Sequence, residues 1–299
     1  MILVMTTVER PAIEKKLNEL NVQLAPEISY RLETLFPKYK GRYAAGTIRN
    51  RVKLLHRLDS LLPEILLDGE VVQFLCKGKM TSSRNTYLVR MFCDDNMRLH
   101  VVLVLTNLRL LCIETNRQGA PNRTCWSVYY NQIDKVETGI TDEVVLLLKD
   151  GLRVSYYEFS QNENLMLKQV TREMGATFAA RGFNPPSMQS RQQLCGKCFH
   201  SVLEGDYECP NCRTLFWTPL EIATRSFLFP PWGTFLLGHY GVAMWEAVLF
   251  FAILFFDFNS IRQGNFSNAL LLLILGNILA AFFTSRITSK GLYLKDAVN

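Results

Sequence analysis

Four cysteines, Cys195, Cys198, Cys209 and Cys212, form two C-x-x-C pairs with ten residues between them. A C-x-x-C turn presents two thiolates to one ion. Two such pairs complete a tetrahedral S4 set that suits Zn2+ and leaves no coordination position open. A closed site of this kind holds structure and gives a substrate nowhere to bind. The surrounding segment, residues 194–217, is too short to bury a core alone. Zinc contributes roughly 10–16 kcal/mol to the folding of comparable modules. The spacing therefore predicts a ribbon over 194–217 with a structural Zn2+. Gly196 and Asn211 tolerate the backbone shape its turns need, and Tyr207, Leu215, Phe216 and Trp217 supply a small apolar patch. His200 follows the first pair closely, but four thiols already fill the shell.

The chain has eight cysteines. The other four, Cys76, Cys93, Cys112 and Cys125, lack ligand spacing and read as core thiols. Thiols kept free or held by a metal favour a reducing compartment. The start, Met1 to Met5, is too short for a signal-peptide core and is followed by Glu9 and Arg10. A pair of disulfides is the alternative for the ribbon, and these features disfavour it.

Past the ribbon the composition turns apolar. Residues 268–284 carry no charge, and 17 residues of helix span about 26 Å, enough for a hydrocarbon core. A first span, Tyr240 to Phe256, is interrupted only by Glu246, and an apolar approach, Phe227 to Leu237, precedes it across Pro230-Pro231. That approach reads as re-entrant or interfacial, with Trp232 near the headgroups. A carboxylate inside a span costs on the order of 3 kcal/mol. Glu246 is expected near an interface or hydrogen-bonded to Asn277; a proton path is the competing reading. Arg225 before the spans and Arg286, Lys290 and Lys295 after them outnumber Arg262 in the connecting loop. The positive-inside bias then puts both termini in the cytoplasm.

Upstream, residues 7–66 read as helical. Ala12, Leu17 and Leu20 mark one stripe, and Ile28, Leu32 and Leu35 a second, ending at Pro37. Ile48, Val52, Leu55 and Leu62 mark a third, with Arg51 blurring its apolar arc. Net charge is +6, and the seven basic residues from Lys38 to Arg57 have no acid among them. Of these, Lys38, Lys40, Arg42, Arg49, Lys53 and Arg57 are the candidate contacts for an anionic surface. A solvated helix face is the plainer account.

From Glu70 the periodicity changes to that of strands. Residues 70–75, 86–92, 99–105, 108–114, 125–130, 144–148 and 151–159 are rich in Val, Leu, Tyr and Phe and are divided by turn signals such as Asp150-Gly151. Leu167, Val170, Met174 and Phe178 then repeat at helical spacing, with Gly182 as a stop. Seven short strands closed by one helix predict a small barrel or sandwich. Residues 184–193 read as a linker.

Two segments carry a family resemblance. Leu103-Val104-Leu105-Thr106-Asn107-Leu108-Arg109-Leu110-Leu111 resembles the LxLTxxRLL hairpin of bacterial pleckstrin-homology-like and GRAM-like domains. Val128-Tyr129-Tyr130-Asn131-Gln132-Ile133-Asp134-Lys135-Val136 resembles their I-P-Y-x-x-I-x-x-V stretch, with Tyr129 in place of proline. The resemblance covers about residues 69–182. It implies a PH-like fold, a bacterial inner-membrane setting, and binding of lipids or proteins. The first hairpin has no clear phosphoinositide signature; Lys77, Lys79 and Arg84 are merely basic.

The expected fold class is thus a multi-domain membrane protein. It comprises a helical region (1–68), a PH/GRAM-like barrel with a C-terminal helix (69–183), a linker (184–193) and a zinc ribbon (194–217). A membrane hairpin (226–285) and a cytoplasmic tail (286–299) follow. No G-x-S-x-G, H-E-x-x-H or P-loop occurs, so a non-enzymatic role is expected. The favoured function is a membrane-anchored adaptor that recruits a protein partner or an anionic lipid. Nucleic acid is disfavoured, since the ribbon sets only Lys197 and Arg213 against Glu204, Asp206 and Glu208, and a small-molecule substrate is not expected. The alternatives are a small transporter or channel subunit using Glu246, and a membrane-tethered nucleic-acid binder using Arg49, Arg51, Lys53 and Arg57.

Overall fold

The computed structural model describes residues 9–81, 99–138, 143–180 and 189–295. Two compact units emerge, Met1–Glu204 and Gly205–Asn299.

The first unit is built on a curled antiparallel sheet. In chain order its elements are α1 (Arg10–Glu19), β1 (Ser29–Tyr30), α2 (Leu32–Leu35), α3 (Ala44–Leu58), α4 (Leu62–Ile65), β2 (Val71–Thr81), β3 (Leu99–Thr106), β4 (Arg109–Thr115) and β5 (Pro121–Tyr129). A 3-10 turn (Tyr130–Gln132), β6 (Ile133–Thr138), β7 (Val144–Leu148), β8 (Arg153–Tyr157), α5 (Gln161–Ala180), β9 (Gln192–Leu194) and β10 (Ser201–Val202) complete it. The strands run in the order β10-β9-β5-β4-β3-β2-β8-β7-β6, and β1 pairs in parallel with the start of β2.

The sheet is covered on both sides. Phe74, Val101, Leu103, Leu105, Cys112, Trp126 and Tyr156 pack inward with Leu167, Val170, Met174 and Phe178 of α5. Val72, Leu75, Val102, Val104, Leu111 and Ile113 face the other way, against Ile13, Leu35, Ile48, Val52, Leu55 and Leu62. This double cover explains the unbroken apolar run Val101–Leu105. A strand wet on one face alternates, whereas one buried on both faces does not. The pairing of β2 with β3 shifts between Val72 and Phe74, and this bulge turns two even-numbered residues to opposite faces. Gly78 permits the sheet to curl. A Cβ there would lie 2.6 Å from the Tyr157 carbonyl oxygen, where β8 crosses β2.

Several sequence expectations change here. The first stripe runs through Ile13 and Leu17, while Ala12 is exposed. The second stripe forms only one helical turn, because Ser29 and Tyr30 extend to pair with Val71 and Val72. Arg51 belongs to the buried arc of α3: it donates to the Leu35 carbonyl oxygen, lies over the Phe74 ring and pairs with Glu163. A strand unread in the sequence, Ile133–Thr138, pairs with β7. Gln192 and Gln193, placed in a linker, add to the sheet beside Ser127 and Trp126. The strand expected over 86–92, Cys93 and Gly182 lie outside the described residues.

The Thr106 and Arg109 positions of the hairpin motif have a structural task. The Arg109 guanidinium donates to both Glu70 oxygens at 3.1 Å and to the Ile65 carbonyl oxygen at 2.7 Å. The Thr106 hydroxyl lies 2.6 Å from Glu70 Oε1, and the Tyr130 hydroxyl donates to the Thr106 carbonyl oxygen at 2.7 Å. All four side chains are buried. The charge pair survives burial because its hydrogen bonds replace those lost from water.

The second unit contains α6 (Pro219–Leu228), α7 (Pro230–Leu236), α8 (Tyr240–Arg262) and α9 (Phe266–Thr288). Thr218 and Glu221 form a reciprocal capping box at the start of α6, with Pro219 in the first turn. Helices α8 and α9 have 23 residues each and mean hydropathies of 1.9 and 2.1. They are long and apolar enough to cross a membrane, about 35 Å each at the usual helical rise. Their apolar side chains remain uncovered: Phe255 is 65% exposed and Leu271 57%.

Candidate functional site

Each C-x-x-C pair folds into the same local turn. In the first, the Phe199 amide donates to the Cys195 carbonyl oxygen and the Cys195 amide to that of His200, both at 2.9 Å. In the second, the Arg213 amide donates to Cys209 and the Cys209 amide to Thr214, again at 2.9 Å. The left-handed residue stands four positions after the leading cysteine in each, Phe199 (φ 54°) and Arg213 (φ 59°). The backbone strain therefore falls on those two residues, not on Gly196 and Asn211. Gly196 serves a close approach: a Cβ there would lie 2.5 Å from the Arg123 carbonyl oxygen on β5.

The Sγ atoms of Cys195, Cys198, Cys209 and Cys212 all lie within 4.8 Å of one another. The edge of a zinc–thiolate tetrahedron is about 3.8 Å, so four sulfurs at this spacing fit a metal with little movement. The Lys197 amide points at Cys195 Sγ at 3.4 Å, and the Thr214 hydroxyl lies 3.1 Å from Cys212 Sγ. Such donors orient and stabilise thiolates around an ion. His200 contributes its carbonyl oxygen to the turn, and its ring is exposed. Cys76, Cys112 and Cys125 are buried in the sheet, as core thiols should be. Burial pushes the Cys125 thiol up to about 12 and the other two upward as well.

Of the predicted apolar patch, Phe216 alone is fully buried, and Leu215 is about half exposed. The reason was not legible in the sequence. Residues 215–217 pair with the chain that returns after α9. The Trp217 amide donates to the Tyr293 carbonyl oxygen at 2.9 Å, the Lys295 amide donates to that of Leu215 at 3.1 Å, and Phe216 bridges to Leu294. Lys295 also pairs with Glu221 at 2.8 Å, and Arg225 and Lys295 both stand over the Trp217 ring. The two ends of the helical hairpin are thereby tied together.

Glu246 finds its partner in Thr234 of α7, whose hydroxyl lies 2.5 Å from Glu246 Oε2; the expected partner, Asn277, is not used. The candidate basic residues split into two sets. Lys40, Arg42 and Arg49 are exposed on the loop before α3 and on α3 itself. Lys38, Lys53 and Arg57 line a cavity of about 590 Å3.

Neither a scan against protein-family models nor a search of curated proteins finds a match. Among solved structures, the chain is similar to the solution structure of the N-terminal PH domain of the human ARAP2 protein. The identity is 8% and the TM-score 0.25, over 39% of this chain and 89% of that one. The description that stands is a curled antiparallel sheet, a four-cysteine cluster and two long apolar helices.

Proposed function

We propose that the chain is a membrane-anchored, non-enzymatic adaptor. In this reading α8 and α9 cross the bilayer as a hairpin with both termini in the cytoplasm, in a bacterial inner membrane. The four thiols hold a structural Zn2+, and the PH/GRAM-like sheet recruits a protein partner or an anionic lipid. The pairing of residues 215–217 with 293–295 carries the proposal. It brings together the chain entering and leaving the hairpin, which supports a two-span topology with both flanks on one side of the bilayer. The basic flanks Arg225, Arg286, Lys290 and Lys295 favour the cytoplasmic side. Reduced thiols in the ribbon favour the same side. The short helix α7, with Trp232 about half exposed, suits the headgroup layer. The hydrogen bond from Thr234 gives Glu246 a structural role in holding α7 against α8, and so weighs against a proton path.

Alkaline carbonate extraction of membranes, followed by protease digestion of sealed inverted vesicles, tests the anchor. The chain should stay in the pellet, and a fragment close to residues 226–285 should survive digestion. Release into the carbonate supernatant would overturn the anchor. Recruitment is tested by gel filtration of the detergent-solubilised full chain. A stoichiometric partner or tightly held anionic lipid supports the adaptor role, and a chain that purifies with neither counts against it.

A further inference from the structure

We infer that the cavity between α3 and β2 is a binding site for a multiply charged phosphate group, held by Lys38, Lys53, Arg57 and Lys77. This deepens the adaptor reading by giving recruitment a chemical ligand. It combines residues of the helical region with Lys77 of β2.

The cavity measures about 590 Å3, room for a phosphate ester or a lipid headgroup. Its walls are α3, the stretch Phe74–Lys77 of β2, the turn at Gln118 and the start of α5 at Asn162. Five cations line it, and one of them, Arg51, is held by Glu163. Among the described residues, Lys38, Lys53 and Arg57 make no ion pair and no hydrogen bond. Among the described residues, Lys77 donates to the carbonyl oxygen of Arg117. The one carboxylate in the lining, Glu163, is already paired with Arg51 at 3.6 Å. It also accepts from the Ser160 amide and hydroxyl. Among the described residues the lining thus holds more positive than negative charge, which an external anion would balance.

The charges also oppose one another. The pKa of Lys77 is lowered, first by burial and then by the Arg57 guanidinium. Like charges held together in a partly desolvated wall raise the energy of the empty cavity, and an anion relieves it. Arginine offers a planar fork and lysine a mobile point charge, the usual pair for gripping phosphate oxygens. Asn162 and Gln118 add neutral donors to the lining. By contrast Lys40, Arg42 and Arg49 lie outside the cavity, so they can steer an anion without holding it.

The test is isothermal titration calorimetry of the full chain in a neutral detergent, with inorganic triphosphate as the probe. Saturable binding is expected. The double substitution Lys53→Gln/Arg57→Gln should weaken it by roughly tenfold or more. Lys38→Glu, a loop change with no packing role, should weaken it comparably. The charge-matched Arg42→Gln/Arg49→Gln should leave the affinity within about twofold. Absence of saturable binding, or equal losses in the two double variants, would overturn the site. Repeating the titration in nanodiscs of phosphatidylcholine, with and without a phosphoinositide, separates the sources. Suppression of triphosphate binding by the anionic lipid assigns the site to a headgroup; unchanged binding assigns it to a free phosphate compound. If triphosphate binds but the chain recruits nothing, the adaptor reading fails while the site stands. If recruitment persists without triphosphate binding, the site fails alone.

Discussion

The sheet and the C-terminal hairpin use the same apolar residue types with opposite outcomes. In the sheet Leu103 and Leu105 are fully buried between α5 on one side and neighbouring strands. On α9 Leu271 is 57% exposed, and on α8 Phe255 is 65% exposed. Water penalises bare apolar area at roughly 25 cal/mol per Å2, so the first region has covered its apolar surface with protein. The second leaves its apolar surface uncovered, a surface of the kind that a bilayer or a partner protein buries. The four-cysteine segment relies less on apolar cover, although Leu194 and Val202 are buried where it joins the sheet. It has one fully buried aromatic, Phe216, and four thiols gathered around a point.

Four experiments would break or sharpen this contrast. The largest effect is expected at the four-cysteine cluster, where the proposed ion would stand in for a core. Cys209→Ser should reduce bound zinc to near zero by elemental analysis and unfold the ribbon, removing roughly 10 kcal/mol or more of metal-linked folding energy. The thermal transition of the sheet should persist; its loss, or full zinc retention, would erase the distinction between the two regions. Next comes the buried pair inside the sheet. Arg109→Ala strands the Glu70 carboxylate, which has a fully buried side chain, and should cost about 3–5 kcal/mol in denaturant unfolding. A change below 1 kcal/mol would mean that water reaches Glu70.

The third experiment compares the two regions directly. Leu103→Ala should cost about 2–5 kcal/mol through lost burial and a residual cavity. Leu271→Ala, on a face with no protein cover, should change the stability of the detergent-solubilised chain by less than about 0.5 kcal/mol. Similar losses at both would show that α9 is covered by protein. The smallest effect is a pH dependence in the sheet. The pKa of His100 is lowered, first by burial and then by Lys79, Lys77 and Arg117, with Glu158 opposing. Below the ordinary value of 6.5 the unfolded chain binds this proton more readily than the folded one. Stability should therefore fall as pH drops through 6.5 toward the lowered value, and His100→Gln should flatten that slope. A slope of opposite sign would place an anion beside the ring.

Much of the secondary structure was legible because it depends on local pattern. The alternation in Arg153–Tyr157 and the helical repeat Leu167, Val170, Met174, Phe178 predict burial that the fold displays. Most of the readings that changed depended on distant residues. Ile28 to Leu35 has a helical stripe, yet the backbone of Ser29 and Tyr30 gains more by pairing with β2. Arg51 looks misplaced on an apolar face until Glu163, the Leu35 carbonyl oxygen and the Phe74 ring are brought to it. The capping box Thr218-Pro219-Leu220-Glu221 was readable from its spacing and was missed. Thr106 and Arg109 belonged to a motif whose physical task became visible only with Glu70 and Ile65 beside them.

The sequence by itself determined the pairing of the four cysteines into two C-x-x-C turns, the change from helical to strand periodicity near Glu70, and the two apolar segments. Residue type and spacing suffice for these, since they express chemistry within one turn or one element. Tertiary structure alone decided that β3 is buried on both faces and that residues 215–217 meet 293–295. It also decided which basic residues share a cavity. Such facts depend on which distant backbone groups find partners and which charges end up facing one another, and no local periodicity encodes that.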